Sequence, residues 1–275
     1  MSRIVVTEFM DERAVATLAA RHDVLYDAAL VDDAPRLARA AGTCDAIVVR
    51  NRTQVRGALV DALARCRVVG RLGVGLDNID VAACEAKGMK VIPATGANAL
   101  AVAEYVVGTA LVLLRGAYLS SAAVASGKWP RAALSAGRET AGKTLGLVGF
   151  GSIGQLTATR ARALGMEVIA HDPLLGAGHP AYAAAGVRAA GLDEVVRAAD
   201  VVSLHVPLVE STRNLFSAAR IASMKPGAVL VNTARGGIVD EVALVRALKD
   251  GHLAGAAIDV FAAEPLPASP HFEDC

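Results

Sequence analysis

Three groups of residues have types and spacings that could do chemistry. Gly149, Gly151 and Gly154 stand in the pattern G-x-G-x-x-G, directly after a short apolar run and directly before a helix-like segment. In a strand–turn–helix unit each glycine has its own reason. Gly149 permits the tight turn, Gly151 lets the backbone approach a pyrophosphate, and Gly154 lets helix and strand pack closely. A diphosphate would rest on the free N–H groups at the helix start, where the macrodipole favours an anion. Asp172, at the end of the next apolar run, can accept hydrogen bonds from a ribose diol and repels a 2′-phosphate. The expected cofactor is therefore NAD rather than NADP. The plainer alternative is a glycine turn in an ordinary α/β unit.

The second group is Arg235, which follows the uncharged run 228–232 and precedes two glycines. A permanently charged fork there could bind a carboxylate and a carbonyl oxygen together; the competing reading pairs it with a local acid such as Asp240. The third is Glu264, five residues past Asp259 and next to Pro265. Beside a catalytic imidazole it would orient the ring and raise its pKa. A surface glutamate would need no partner.

These residues need a frame that carries them on strand ends. Short β-branched runs at 4–8, 22–26, 46–49, 67–70 and 89–92 alternate with helical segments, which predicts a complete doubly wound domain over residues 1–96. Asp11 is placed to cap the first helix and Pro35 suits the first turn of the second. The stretch 93–98 reads as a linker. A long helix then runs from about Asn98 to Arg115, apolar nearly all round and expected to be buried between other elements. Residues 120–142 read as an irregular arm holding the single tryptophan, Trp129. That arm suggests a subunit contact, with packing on its own domain as the alternative. A second alternating run starts at Thr144. The fold class expected is α/β, with two doubly wound parallel-sheet domains: a flavodoxin-like substrate domain (1–96) and a Rossmann NAD-binding domain (97–275). In such sheets ligands bind outside the carboxyl ends of the strands.

Composition excludes several classes. Of 275 residues, 54% are apolar and 20% charged, enough for large cores and incompatible with wholesale disorder. A net charge of +1 gives no long-range attraction for nucleic acid or an anionic membrane. Cys44, Cys66, Cys84 and Cys275 form no C-x-x-C pair and no ligand cluster, so no metal site or disulfide framework is expected. The start of the chain carries acids and lacks the layout of a signal sequence, and the most apolar run, 101–114, is short of a membrane span. A cytoplasmic location is the expectation.

The combination of Gly70-Arg-Leu-Gly-Val-Gly-Leu-Asp-Asn-Ile-Asp80, the glycine fingerprint with Asp172, Asn232-Thr-Ala-Arg-Gly-Gly-Ile-Val-Asp-Glu241 and Asp259-Val-Phe-Ala-Ala-Glu-Pro265 resembles the D-isomer-specific 2-hydroxyacid dehydrogenases, in their phosphoglycerate dehydrogenase-like branch. The first hundred residues look most like sulfolactate dehydrogenases within it. The resemblance implies that Val74 and Gly75 offer backbone amides to a substrate carboxylate and that Arg235 binds carboxylate and carbonyl. It implies that Glu264 supports a histidine that passes the hydroxyl proton during hydride transfer. It places Val74, Ser152, Ile153, Asp172, Val206, Thr233, Ala234, Arg235 and Asp259 at the NAD site, and Arg50 and Asn98 toward the substrate. It implies a homodimer joined through the cofactor domain. Arg50, Arg52 and Arg71 suggest a substrate with a second anionic group; pairing with Asp77 or Asp80 is the alternative.

One departure stands out. The family's histidine lies in a Pro-His pair well beyond the glutamate, after another strand, whereas this sequence runs only eleven residues past Glu264. Pro270-His271 is the nearest substitute, and His205 reads as structural. The expectation is that the first domain lacks its return segment and the second its last strand. The chain is then a fragment, or an impaired relative acting as an NAD-binding or regulatory module. Formate oxidation is disfavoured because the glutamate is kept.

Overall fold

The computed structural model describes residues 1–264 together with 266 and 272. Its chain divides into two compact units, Met1–Asn98 and Ala99–Cys275.

The first unit alternates β1 (Arg3–Val6), α1 (Glu12–Ala19), β2 (Asp23–Tyr26), α2 (Ala34–Ala41), β3 (Ala46–Val49), α3 (Ala58–Ala62), β4 (Val68–Arg71), α4 (Val81–Ala86) and β5 (Lys90–Pro93). The strands form one parallel sheet in the order β2-β1-β3-β4-β5, the flavodoxin-like arrangement. Asp11, Asp33 and Asp80 each accept backbone N–H bonds at the start of a helix, which fixes where α1, α2 and α4 begin. The core gathers Val5, Ile47, Val49 and Val69 from the sheet with Leu37, Val60, Leu63 and Met89 around it. Cys44, Cys66 and Cys84 lie in this core as free thiols.

The second unit contains α5 (Ala99–Arg115), α6 (Ser121–Ala125), α7 (Arg131–Leu134), β6 (Thr144–Val148), α8 (Ser152–Ala163), β7 (Glu167–His171), α9 (Pro180–Ala185), β8 (Arg188–Ala189), α10 (Leu192–Ala198), β9 (Val201–Leu204), α11 (Ala218–Ala222), β10 (Ala228–Asn232), α12 (Glu241–Lys249) and β11 (Leu253–Ile258). Its parallel sheet has the order β11-β10-β9-β6-β7-β8, so the six described strands fill the doubly wound Rossmann order. One core cluster joins the sheet to α5 and α8 through Val106, Ala110, Leu114, Ala158 and Ala161. The other joins it to α10, α11 and α12 through Val195, Val196, Ile221 and Leu244. The sheet strands are apolar on both sides because helices cover both faces.

Two expectations change. The long helix is not buried all round: Ala103, Val106, Ala110 and Leu114 are buried, but Leu100, Tyr105 and Leu111 are exposed. Among the described residues that side of the helix is left partly uncovered. The arm after it is not irregular throughout, since α6 and α7 each form a short helix, and Trp129 is 78% exposed rather than packed on its own unit. No single helix among the described residues is long and apolar enough to cross a membrane.

Gly146 shows how tightly α10 lies on the sheet. A Cβ there would come within 2.7 Å of a Val195 methyl and 2.8 Å of the Ala199 Cβ. We expect Gly146→Ala to destabilise the fold by about 1–3 kcal/mol through overpacking. Gly176→Ala, at a glycine with open space around it, is expected to stay within about 0.5 kcal/mol. Urea midpoints of the two variants decide; equal midpoints would remove the packing argument.

Candidate active site

The second unit's candidate residues collect at the carboxyl ends of β6, β7, β9, β10 and β11. After β6 the chain turns at Gly149, whose φ is +97°. A side chain there would be strained in any case, and its Cβ would lie 2.5 Å from the His205 carbonyl oxygen. Gly154 has a similar constraint from the turn itself, because a Cβ would lie 2.6 Å from the Gly149 oxygen. The close approach at this third glycine is therefore to the loop carbonyl. Gly151 has nothing within 4 Å of a Cβ position, so its surface is open.

Gly151 is also the N-cap of α8 and supplies no side-chain acceptor. The N–H groups of Ser152, Ile153 and Gly154 have no acceptor among the described residues, the first helical bond of the turn being Gln155 N–H to the Gly151 oxygen. An exposed cap with three open donors, at the positive end of a twelve-residue helix, suits a diphosphate. Asp172 stands one residue past β7. Its carboxylate accepts from the Phe150 N–H at 2.8 Å and the Leu174 N–H at 2.9 Å. A carboxylate has about four lone-pair sites, so half-buried Asp172 keeps acceptor capacity for a diol. Thr233, one residue past β10, has a buried hydroxyl oxygen without a hydrogen-bond partner. Open amides, spare carboxylate capacity and an orphaned hydroxyl are what a bound dinucleotide would satisfy, and the residues present fit NAD.

Val206 follows β9 and is buried against the same side of the sheet. His205 beside it is held by the sheet: its N–H donates to the Val148 oxygen, and its Nε2 lies 3.0 Å from the Ser203 hydroxyl. Burial pushes its imidazole down to about 4, so the ring is neutral near pH 7. This is a structural histidine.

Arg235 sits in a turn built by Asn232, a residue whose role the sequence reading missed. Buried Asn232 accepts from the Ala234 N–H at 3.1 Å through Oδ1 and donates to the Arg235 oxygen at 3.0 Å through Nδ2. Its position at a strand end, three residues before an arginine and two glycines, is the sequence signal for such an Asx-type turn. Arg235 is half-buried and donates from Nη1 to the Ala234 oxygen. Asp240 accepts from the Ala243 N–H as the N-cap of α12.

The same turn meets the loop after β11. The Asp259 N–H donates to the Asn232 oxygen at 3.0 Å, and a Cβ on Gly236 would lie 1.8 Å from the Phe261 oxygen. Only glycine allows those two backbones to touch. Exposed Glu264 closes the loop by accepting from the Phe261 N–H at 2.9 Å. Glu241, in the first turn of α12, accepts from the Ala262 N–H at 2.7 Å and so ties the loop to the helix. The structure thus brings together the Arg235 and Glu264 segments. Pro270-His271 lies outside the described residues.

In the first unit, Arg50 follows β3 and Val74 and Gly75 follow β4. Buried Glu8, past the end of β1, accepts backbone N–H bonds from Arg50, Arg52 and Thr53 at 2.8–3.0 Å. Burial works to raise its carboxyl pKa, but those three donors together hold it below the ordinary glutamate value. Buried Asn78 donates to the Arg50 and Thr53 oxygens. The N–H groups of Val74 and Gly75 have no acceptor among the described residues, and Val74 is exposed. Exposed Asn98 ends the unit. Arg52 pairs with Asp32, and Asp80 caps α4. No group of three or more His, Cys, Asp or Glu among the described residues could hold a metal ion.

A family model described as D-isomer specific 2-hydroxyacid dehydrogenase, NAD binding domain, matches residues 107–274. The chain is 53% identical over 268 residues to the (S)-sulfolactate dehydrogenase of Chromohalobacter salexigens, covering 98% of this chain and 86% of that one. It is 40% identical over 266 residues to the D-3-phosphoglycerate dehydrogenase of Mycobacterium leprae, covering 96% of this chain and 49% of that one. Among solved structures, the TT0316 protein of Thermus thermophilus superposes with a TM-score of 0.88 at 33% identity, over 98% of this chain and 85% of that one. The chain therefore belongs to the D-isomer-specific 2-hydroxyacid dehydrogenase family and is an NAD-dependent oxidoreductase.

Proposed function

We propose that the chain interconverts a 2-hydroxy acid bearing a second anionic group, of the phosphoglycerate or sulfolactate kind, with its 2-oxo acid. The observation that carries this reading is Arg50. Its backbone is fixed by Glu8 and Asn78, yet its exposed guanidinium has no carboxylate within 4 Å among the described residues. An uncompensated cation held by a rigid loop at a strand end is suited to a phosphate or sulfonate. The likeness to sulfolactate and phosphoglycerate dehydrogenases supports the same class.

NAD, when bound, supplies the hydride acceptor at its nicotinamide ring. Ser152, Ile153 and Gly154 offer amides to its diphosphate, Asp172 its carboxylate to the ribose, and Thr233 its hydroxyl; Val206, Ala234 and Asp259 line the same strand ends. Val74 and Gly75 direct their amides to the substrate carboxylate, with Asn98 beside the substrate. Arg235 binds carboxylate and C2 oxygen, and so stabilises charge that develops on that oxygen. Glu264 orients the group that carries the hydroxyl proton. The apolar face of α5, continued by Tyr118, Val124 and Trp129, supports a homodimer through this unit, since solvent-exposed apolar patches mark interfaces.

Three outcomes are expected. With NAD, kcat/KM for sulfolactate or glycerate 3-phosphate should exceed that for lactate by at least about tenfold. Arg50→Gln should erase that advantage, while Arg235→Gln should lower kcat/KM for every substrate by about 10²–10³. Equal rates for lactate and the dianions would end the second-anion reading. Next, Asp172→Ser should weaken NADH binding and bring NADH and NADPH affinities, read by cofactor fluorescence, within about tenfold of each other. An undiminished preference for NADH would show that another residue discriminates. Finally, light scattering should report a dimer that Leu111→Arg converts to monomer; a monomeric unaltered chain would remove the dimer proposal.

A further inference from the structure

A second cluster of arginines lies in the first unit, away from the carboxyl ends of its strands. The face of α2 that carries Arg36, Arg39 and Ala40 lies beside β1 and β2, and an open surface cavity of about 340 Å³ is found there. Arg3, the first residue of β1, lines it together with Leu25 of β2 and Leu30 of the connection before α2. Arg3 and Leu25 share a face of the sheet, because Arg3 pairs with Asp23 and Val5 with Leu25 in the β1–β2 register. Arg39 sits in the last turn of α2. The cationic rim therefore faces the amino-end side of the sheet, whereas Arg50, Val74 and Gly75 follow carboxyl ends.

The charges in this cavity are unequally answered. Arg36 is paired with Asp27 at 2.6 Å and lies 3.9 Å from Asp33. Arg3 and Arg39 have no carboxylate within 4 Å among the described residues. Asp45 binds the Arg3 backbone N–H and the Arg65 guanidinium, not the Arg3 side chain. The Arg3 Nε, moreover, is buried and has no hydrogen-bond partner. A buried guanidinium donor left unmade is costly. An arrangement of this kind is relieved by an anion.

We propose that this cavity binds a small phosphorylated compound, with the phosphate on Arg3 and Arg39 and an apolar portion against Leu25, Leu30 and Ala40. Guanidinium forks match phosphate oxygens bidentately. The volume suits a small organic phosphate, being at the lower end of the roughly 300–1,000 Å³ found for ligand pockets. A compound held there spans α2 and the β1–β2 edge of the unit that also carries the Arg50 loop. The proposal is independent of the substrate reading, since none of its residues belongs to the candidate active site.

The test is a calorimetric titration of the purified protein with phenyl phosphate, and separately with inorganic phosphate, at fixed ionic strength. One saturable phenyl phosphate site per chain is expected, with inorganic phosphate weaker. Arg39→Glu should weaken phenyl phosphate by at least about tenfold and Arg39→Lys by less than about threefold. NADH binding in both variants should be unchanged, which shows that they are folded. Arg235→Gln should leave the titration as it is. The proposal is overturned if phenyl phosphate gives no saturable binding, if Arg39→Glu titrates like the unaltered protein, or if Arg235→Gln abolishes the site.

Discussion

The geometry of the second unit depends on how closely the turn after β6 approaches its neighbours. Gly149 lies against the His205 carbonyl and Gly154 against the Gly149 oxygen, distances that no side chain would permit. Because the turn is this tight, α8 begins immediately after the strand, and its first N–H groups emerge at the carboxyl edge of the sheet rather than being consumed by a loop. Phe150, carried into the core by the same turn, stacks on Tyr182 with ring centroids 4.8 Å apart. Asp172 can then reach back to the Phe150 N–H. Steric closeness at two glycines thus sets the helix start, the aromatic anchor and the placement of the acid. A second such approach, Gly236 against Phe261, joins the Arg235 turn to the Glu264 loop. In both cases the missing Cβ is what lets two functional segments share one edge.

Much of this frame was legible in the sequence because it rests on local signals. Alternating apolar runs and helical segments located the strands of both sheets, and Asp11 located the start of the first helix. Glycine spacing with Asp172 pointed to the NAD edge because every participant lies within one βαβ unit. What the sequence concealed depends on long-range partners. The Glu8 carboxylate meets donors 42 to 45 residues away, and nothing about an acid near the start of the chain announces that it will be buried. Asn232 and Glu241 were visible as parts of a motif, but their acceptor and donor roles required the loops to be in place. The long helix was misjudged for a related reason. Apolar periodicity reports that a face tends to avoid water, and it is silent about which surface, if any, covers it.

The arginines differ in whether a local acid answers them. Arg52, Arg65 and Arg188 each meet a carboxylate at the surface, where such pairs contribute little to stability. Among the described residues Arg50, Arg3 and Arg39 do not, and each is carried by an element whose backbone is already fixed by other bonds. A flexible surface arginine without an acid needs no explanation, since water solvates it. One with a buried, unpartnered nitrogen, as at Arg3, does need one.

The two carboxylates at strand ends show how the same residue chemistry takes different roles. Glu8 is buried and spends its oxygens on three backbone donors, which together hold its pKa down against burial. Its folded-state pKa lies below the unfolded value, so its stabilisation is present above the unfolded pKa and is lost as pH falls through the folded one. At neutral pH it is a fixed part of the Arg50 loop. Asp172 is half-buried and bonded to two donors only, with room on its oxygens at the edge where the α8 amides emerge. Saturation makes Glu8 a support; incomplete saturation leaves Asp172 able to meet a ligand. The same criterion explains Thr233, whose orphaned hydroxyl stands past the end of β10, two strands along the sheet from β6. Unused hydrogen-bonding capacity is thus gathered at one edge of the second sheet by glycine-tight turns, where a cofactor can use it.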